Sequence, residues 1–174
     1  MKRFFPAALA ALAMLVVAPA SVAAIPEKGS ISIFAGVGPA IPFEGDYKVG
    51  FHLEAGGEYY LSNVLALRGT LGLTRSNADG GSGVTLGGLE ASAVYYARRG
   101  KWSPYVLAGV GIHTVDPPGR SASQRLSAHV GGGTEYYLDR RTALTGEITG
   151  RFIGSAGDRT SSFASLAVGI KYHF

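Results

Sequence analysis

The stretch SSFASLAVGIKYHF, residues Ser161–Phe174, alternates between two unlike faces. Every second residue from Ala164 to Phe174 is apolar, and the residues between them include the small or polar Ser165, Gly169 and Lys171. Successive side chains of a β-strand point to opposite faces of the sheet, so a period of two is that of a strand. The segment therefore predicts a strand with one apolar and one mixed face.

The same alternation recurs through the chain and divides it into eight segments. The segment Val84–Ala97 is less regular, because its apolar residues change from one set of alternate positions to the other around Gly87–Gly88. This shift predicts a β-bulge. In another, Tyr105 and Leu107 fall on the mixed face. The predicted strands are Gly29–Gly38, Lys48–Leu61, Val64–Arg75, Val84–Ala97, Pro104–Thr114, Gln124–Leu138, Thr142–Gly154 and Ser161–Phe174.

The chain begins with a pattern typical of a secretory leader. Lys2 and Arg3 precede an apolar run, Pro19 interrupts it, and small residues follow up to Ala24. The run is shorter than the roughly 20 residues of a membrane-spanning helix. We therefore predict a cleaved signal peptide over 1–24 and a single domain over 25–174. Cleavage would leave the mature chain with two fewer positive charges than the +4 of the whole chain.

Composition excludes several classes of protein. Only 16% of the residues are charged, against about 25% in soluble domains. The absence of cysteine excludes a disulfide framework and a cysteine nucleophile, and no cluster of basic residues indicates a nucleic-acid partner. No segment after the leader is long and apolar enough for a spanning helix. In a membrane, such a chain must form a closed barrel, because lipid cannot satisfy open sheet edges.

The connections between the predicted strands alternate in length. Short turns at one end and longer loops at the other are typical of an outer-membrane barrel. We predict an all-β fold, an eight-stranded antiparallel up-and-down transmembrane barrel in the cell outer membrane, with periplasmic termini and extracellular longer loops. The short turns are Ser62–Asn63, Arg98–Lys101 and Asp139–Arg141, and the longer loops are Pro39–Tyr47, Ser76–Gly83, Val115–Ser123 and Ser155–Thr160.

The aromatic residues give independent support. With alternating strand directions, eight of the nine tyrosines and the single tryptophan fall near the short-turn end, while Phe43, Tyr47, Phe51, Phe152 and Phe163 fall toward the other. Amphipathic rings favour the membrane–water interface, so a spanning barrel needs two such belts. The predicted girdle at the short-turn end includes Tyr59, Tyr95, Trp102, Tyr136, Tyr172 and Phe174.

These features resemble the small eight-stranded outer-membrane barrels, the OmpA-like, OmpX-like and opacity-type surface proteins. The resemblance covers the leader, the eight segments and the ending Gly169–Phe174. A terminal Phe174 preceded at alternate positions by Tyr172 and Ile170 looks like the family's signal to the barrel-assembly machinery. The resemblance implies a monomer without a cofactor. The implied partners are outer-membrane lipid and lipopolysaccharide, and during biogenesis the assembly machinery and periplasmic chaperones.

The mixed faces should enclose a polar lumen. Buried charges need partners, so we expect an ion-pair network that includes Glu58–Arg68 and Glu147–Arg151 or Glu147–Lys171. An eight-stranded barrel is just wide enough for its side chains to fill, so this network should plug the lumen and serve mainly as polar filling. The inward charged residues are Glu54, Glu58, Arg68, Glu90, Glu135, Glu147, Arg151 and Lys171, accompanied by His52, His113, His129 and His173.

These residues favour a structural or surface-interaction role, in membrane integrity, adhesion or ligand contact, and two alternatives remain open. A lipid A-modifying enzyme would need a nucleophile and a base, and Ser127, His129 and Glu135 share one strand face, although that face points away from lipid. A soluble lipocalin-like binder would need an apolar interior and a charged exterior. We expect no metal site, because the histidines lack the usual ligand spacing.

Overall fold

The computed structural model describes residues 26–43, 48–77, 83–116, 121–154 and 162–174. The predicted leader and Tyr47 lie outside this part of the chain. Within these ranges, no helix is long and apolar enough to cross a membrane. The described residues contain eight strands: β1 (Ile31–Pro42), β2 (Gly50–Tyr60), β3 (Leu65–Asn77), β4 (Gly83–Tyr96), β5 (Trp102–Asp116), β6 (Ser123–Tyr137), β7 (Thr142–Ile153) and β8 (Phe163–His173).

The strands form one closed antiparallel barrel in chain order, and β1 pairs with β8 to complete the ring. This confirms the predicted fold class. Burial alternates along the strands, for example in β5, where every second residue from Ser103 to Val115 is buried except Gly109, which is half-buried. Tyr105 and Leu107 are among these buried residues, as the alternation predicted. One face of each strand thus lines the lumen, and the other faces outward.

The first strand is longer than predicted. β1 continues through Pro39 to Pro42, where the sequence indicated the start of a loop. Proline cannot donate a backbone hydrogen bond, and the pairing of β1 with β8 passes from Val37 to Ala40 without Gly38 and Pro39. The strand therefore accommodates Pro39 at an interruption of one ladder while the other ladder, to β2, continues.

The predicted bulge at Gly87–Gly88 is wrong. Both residues pair one-to-one with their neighbours on β3 and on β5, without an extra residue on either side. The apolar phase shifts because Val84 and Leu86 point inward, into an apolar cluster near the long-loop end of the lumen. This cluster comprises Ala40, Val84, Leu86, Val115, Ile153 and Phe163. The lining of the lumen becomes apolar at this level, while the backbone pairing of the strand stays regular.

Tight turns join the strands at the opposite end. In the β2–β3 turn the amide of Leu61 donates to the carbonyl of Leu65 at 2.9 Å, and the hydroxyl of Ser62 accepts from the Leu65 amide at 3.1 Å. The β6–β7 turn is closed by a 2.9 Å bond from the Leu138 amide to the Thr142 carbonyl. These turns hold one end of the lumen in a compact, fixed geometry.

Candidate functional site in the barrel lumen

All eight charged residues that the sequence placed in the lumen are buried there. Their strands bring them inward from six of the eight walls, because each occupies an inward position of the two-residue period. The members are Glu54 and Glu58 on β2, Arg68 on β3, Glu90 on β4, Glu135 on β6, Glu147 and Arg151 on β7, and Lys171 on β8.

Arg68 crosses the lumen from β3 to β7. Its Nε donates to Glu58 Oε1 at 2.7 Å, and its Nη1 donates to Glu147 Oε2. The guanidinium also lies 4.8 Å from the centre of the Phe34 ring and 5.2 Å from that of Tyr105. In a ring of eight strands, β3 and β7 are four positions apart. One side chain thus connects opposite walls.

Lys171 makes a second crossing at a similar level. Its ammonium lies 2.9 Å from Glu58 and 2.5 Å from Glu135, and it donates to the Tyr96 hydroxyl on the opposite wall, β4, at 3.1 Å. The Tyr60 hydroxyl donates to Glu58 at 2.8 Å. The Tyr96 hydroxyl donates to Glu135 at 2.6 Å. Each of these two carboxylates therefore has both a cation and a neutral donor, which a buried charge needs for its stability.

Arg151 organises the upper part of the network. Its Nε donates to Glu90 at 2.7 Å and its Nη2 donates to the other oxygen of the same carboxylate at 3.2 Å. The Nη2 atom also reaches Glu54 at 3.4 Å, and Nη1 donates to the Ser165 hydroxyl at 2.6 Å. This fork-to-fork arrangement uses the planar geometry that distinguishes arginine from lysine.

The predicted ion pairs are partly present. Glu58 and Arg68 pair, as the sequence predicted. The predicted pairing of Glu147 with Arg151 or Lys171 is wrong, because Glu147 binds Arg68. Glu147 and Arg151 share β7 but are four residues apart, a span of about 13 Å at roughly 3.3 Å per residue. The Glu147 carboxylate therefore reaches Arg68 on the opposite wall and not Arg151 on its own strand.

Arg99 belongs to the network, although the sequence analysis did not identify it. From the β4–β5 turn its side chain enters the lumen, where Nε donates to the Asn63 carbonyl at 2.6 Å. Its guanidinium lies 3.3 Å from the Tyr96 ring centre and 3.6 Å from Glu135. Charge balance was the available signal, since the lower lumen contains three carboxylates and only two of the predicted cations. These are Glu58, Glu135 and Glu147 against Arg68 and Lys171.

Ser127, His129 and Glu135, which were considered for a lipid A-modifying enzyme, do not bind one another as a nucleophile and its base would. His129 Nε2 lies 2.7 Å from the Ser92 hydroxyl and its Nδ1 lies 3.9 Å from Glu90. The Ser127 hydroxyl has no hydrogen-bond partner among the described residues. Glu135 binds Lys171 instead of a histidine base. All three side chains are buried in the lumen, away from the lipid-facing side of the wall.

The other lumenal histidines each lie beside a carboxylate or an aromatic ring, and His113 shares Glu90 with His129. His52 lies 3.2 Å from Glu54, His113 lies 3.4 Å from Glu90, and His173 stacks on the Tyr137 ring. Within the described part of the chain, no group of three or more potential ligands is placed to hold a metal ion. The arrangement supports polar filling of the lumen more than coordination.

The outer surface is apolar. Large hydrophobic side chains such as Leu71, Val110, Leu126 and Ile148 are exposed over more than half of their area. A lipocalin-like binder needs the opposite distribution, with the apolar face inside. The soluble alternative is therefore wrong.

Five of the six predicted girdle residues are exposed at the outer surface near the short turns. They are Tyr59, Tyr95, Trp102, Tyr172 and Phe174. Tyr136 differs, since only 5% of it is exposed. The Trp102 ring packs edge-on against Tyr136 at 4.9 Å, and the Lys101 ammonium lies 5.2 Å from its centre. Ile170 shares the outward face of Tyr172 and Phe174.

Comparisons with known proteins agree with this architecture. Residues 8–174 match the family model described as outer membrane protein beta-barrel domain. No curated protein sequence is significantly similar to the chain.

Among solved structures, neisserial surface protein A is similar, with 20% identity, a TM-score of 0.64, and coverage of 83% of this chain and 96% of that one. The N-terminal barrel of OprF from Pseudomonas aeruginosa has 17% identity, a TM-score of 0.59, and coverage of 86% and 100%. The attachment invasion locus protein Ail of Yersinia pestis has 18% identity, a TM-score of 0.58, and coverage of 84% and 99%. At these identities, the likeness is one of fold.

Proposed function

We propose that this chain, which belongs to the outer membrane protein beta-barrel domain family, is a monomeric integral barrel whose lumen is closed by its own side chains. Its role is then structural or depends on surface contact, and it is neither an open diffusion pore nor an enzyme. The contacts between opposite walls of the lumen carry this proposal.

Two side chains support the closed lumen most directly. Arg68 connects β3 with β7, and Lys171 connects β8 with β4, so two crossings in different directions occupy the lower lumen. The interior of an eight-stranded barrel has little width beyond its own side chains. Wide channels belong to barrels with 16 or more strands, and this argument favours a barrier over a pore.

Conductance in planar lipid bilayers tests the closed lumen. We expect the wild-type protein to show no sustained open channel. The double variant Arg68→Ala and Lys171→Ala should show measurable ion current, because it removes both crossings and leaves unpaired carboxylates that attract cations. Arg75→Ala, a change at an outward position of β3, should behave as wild type. A porin-like wild-type current would contradict the proposal. Unchanged conductance in the double variant would show that Arg68 and Lys171 do not close the lumen.

The second part of the proposal concerns orientation. Both termini and the three short turns face the periplasm, and the four longer loops face outward. The even number of strands and the predicted leader support this arrangement, which is usual for bacterial barrels. Membrane lipid and lipopolysaccharide then surround the apolar belt. Ile170, Tyr172 and Phe174 are available to the barrel-assembly machinery after the chaperones deliver the chain.

Labelling of single cysteines in intact cells tests the orientation. Because the chain has no native cysteine, Asn63→Cys in the β2–β3 turn and Ser121→Cys before β6 each introduce one thiol at an exposed position. A membrane-impermeant maleimide should label Ser121→Cys in whole cells and Asn63→Cys only after the outer membrane is opened. The reverse pattern would overturn the orientation.

The loops support a role in surface contact. Each of the four contains charged residues, with Glu44 and Asp46 in the first and Asp158 and Arg159 in the last. The lipid A-modifying alternative has less support, since a lipid substrate approaches from the bilayer, and Ser127 and His129 face the lumen. Catalysis would require these groups within hydrogen-bond reach of the substrate.

A further inference from the structure

Positive charge is concentrated on two of the three short turns. The β4–β5 turn contains Arg98, Arg99 and Lys101, and the β6–β7 turn contains Arg140 and Arg141. The β2–β3 turn, residues 61–64, has no charged residue. Arg99 points into the lumen, whereas Arg98, Arg140 and Arg141 are exposed and Lys101 is half-buried. Among the three short turns, basic residues are therefore confined to the two that join β4 to β5 and β6 to β7.

The two basic turns form one continuous edge. The amide of Tyr137 donates to the carbonyl of Lys101 at 3.0 Å, which places Lys101 against the start of the β6–β7 turn. On the other side of that turn, the His173 amide donates to the Arg141 carbonyl at 2.7 Å. We name this surface, formed by Lys101, Arg140 and Arg141, the basic rim.

The acid within these two turns does not neutralise the basic rim. Asp139 Oδ1 accepts hydrogen bonds from the backbone amides of Arg141 at 2.7 Å and of Thr142 at 2.8 Å. These amides lower the pKa of Asp139, so its carboxylate stays ionised and oriented toward the backbone. The Asp139 carboxylate therefore caps the turn, and the side chains of Arg140 and Arg141 are exposed to solvent.

Aromatic side chains border the basic rim on its membrane side. The Lys101 ammonium lies 5.2 Å from the Tyr136 ring centre, and Trp102 covers the same tyrosine. Arg141 Nη1 donates to the Tyr172 hydroxyl at 3.3 Å. Such rings lie at the level of lipid headgroups. The cations beside them are therefore at the depth of a headgroup phosphate, which guanidinium recognises through paired hydrogen bonds.

We infer that the basic rim binds the phosphate headgroup of an anionic phospholipid, with the acyl chains lying against the apolar wall of β5–β8. This inference rests on the proposed function, because it requires the short-turn end to lie in a phospholipid leaflet. The asymmetry of the turns predicts that bound lipid occupies the side of β5–β8, next to Trp102 and Tyr172.

Native mass spectrometry of the purified full chain tests the inference. The probes are phosphatidylglycerol, zwitterionic phosphatidylcholine and lipopolysaccharide. The triple variant Lys101→Gln, Arg140→Gln and Arg141→Gln should bind phosphatidylglycerol about a hundredfold more weakly than wild type, since each of the three cations near an anionic surface contributes about 1 kcal/mol. The matched control, Lys48→Gln, Arg75→Gln and Arg125→Gln, removes three charges toward the other end and should bind as wild type. Arg140→Gln alone provides a smaller, measurable loss if the triple variant does not fold.

Three results would overturn the inference: equal binding of phosphatidylglycerol and phosphatidylcholine by wild type, equal losses in both triple variants, or a loss confined to lipopolysaccharide. Failure of the proposed function has a different signature. A protein that does not enter bilayers and lacks heat-dependent electrophoretic mobility is not a membrane barrel. If the protein passes this test but the triple variant of the basic rim binds phosphatidylglycerol as wild type does, the inference is refuted and the proposed function stands.

Discussion

Replacement of Arg151 by methionine is expected to lower the free energy of unfolding by about 3–5 kcal/mol. Methionine fills much of the same volume but leaves Glu54 and Glu90 without the guanidinium that contacts both. Uncompensated buried charge makes the loss of one partner costly. Urea unfolding of the refolded barrel, followed by the fluorescence of the single tryptophan, Trp102, measures the change.

Neutralisation of the carboxylates separates charge from packing. If unpaired charge causes the loss, the triple variant Arg151→Met, Glu54→Gln and Glu90→Gln should recover much of the stability of the single variant. Arg75→Met, at an outward position, should change stability by less than about 1 kcal/mol, as surface charges usually do. An Arg151→Met protein with wild-type stability would show that these contacts do not stabilise the lumen.

The variant Gly169→Val should prevent the formation of a stable barrel. Gly169 pairs with Gly36 across the seam between β1 and β8. A Cβ atom at Gly169 would lie 2.2 Å from the carbonyl oxygen of Ala35 and 2.9 Å from the Thr145 hydroxyl. The backbone carbonyl of Ala35 cannot move aside as the end of a flexible side chain can. We expect a destabilisation of about 3 kcal/mol or more, seen as loss of the heat-dependent shift in electrophoretic mobility.

Gly69→Val provides a matched control for this seam variant. A Cβ atom at Gly69 meets no atom within 4 Å, and valine is favoured over glycine in strands. This variant should fold with wild-type or slightly higher stability. Comparable behaviour of the two variants, whether both fold or both fail, would contradict the steric argument for Gly169.

The sequence could predict the strands because each wall of the barrel separates lipid from a polar interior. That separation imposes a period of two on segments such as Ser161–Phe174. The same argument fails where the interior is itself apolar. Val84 and Leu86 are apolar but point inward, so the sequence suggested an extra residue in a strand whose pairing is regular.

The lumenal residues could be identified from the sequence, but most of their partners could not. Alternation identifies which side chains point inward, and it placed Glu147 correctly. Which cation reaches Glu147 depends on the stagger of the closed ring and on the distance across it. Neither the stagger nor the distance can be read from the sequence of a single strand. Arg99 was missed for a related reason, since a turn has no inward or outward period.

Lys171 has a consequence for biogenesis. It lies on β8, the last strand to leave the ribosome, and it neutralises carboxylates on β2 and β6. A chain that has not yet added β8 therefore contains two acidic groups without this cation. Lys171 can reach these carboxylates only when β8 has joined the ring. We therefore expect chains that have added β8 to be favoured during membrane insertion over chains that lack it.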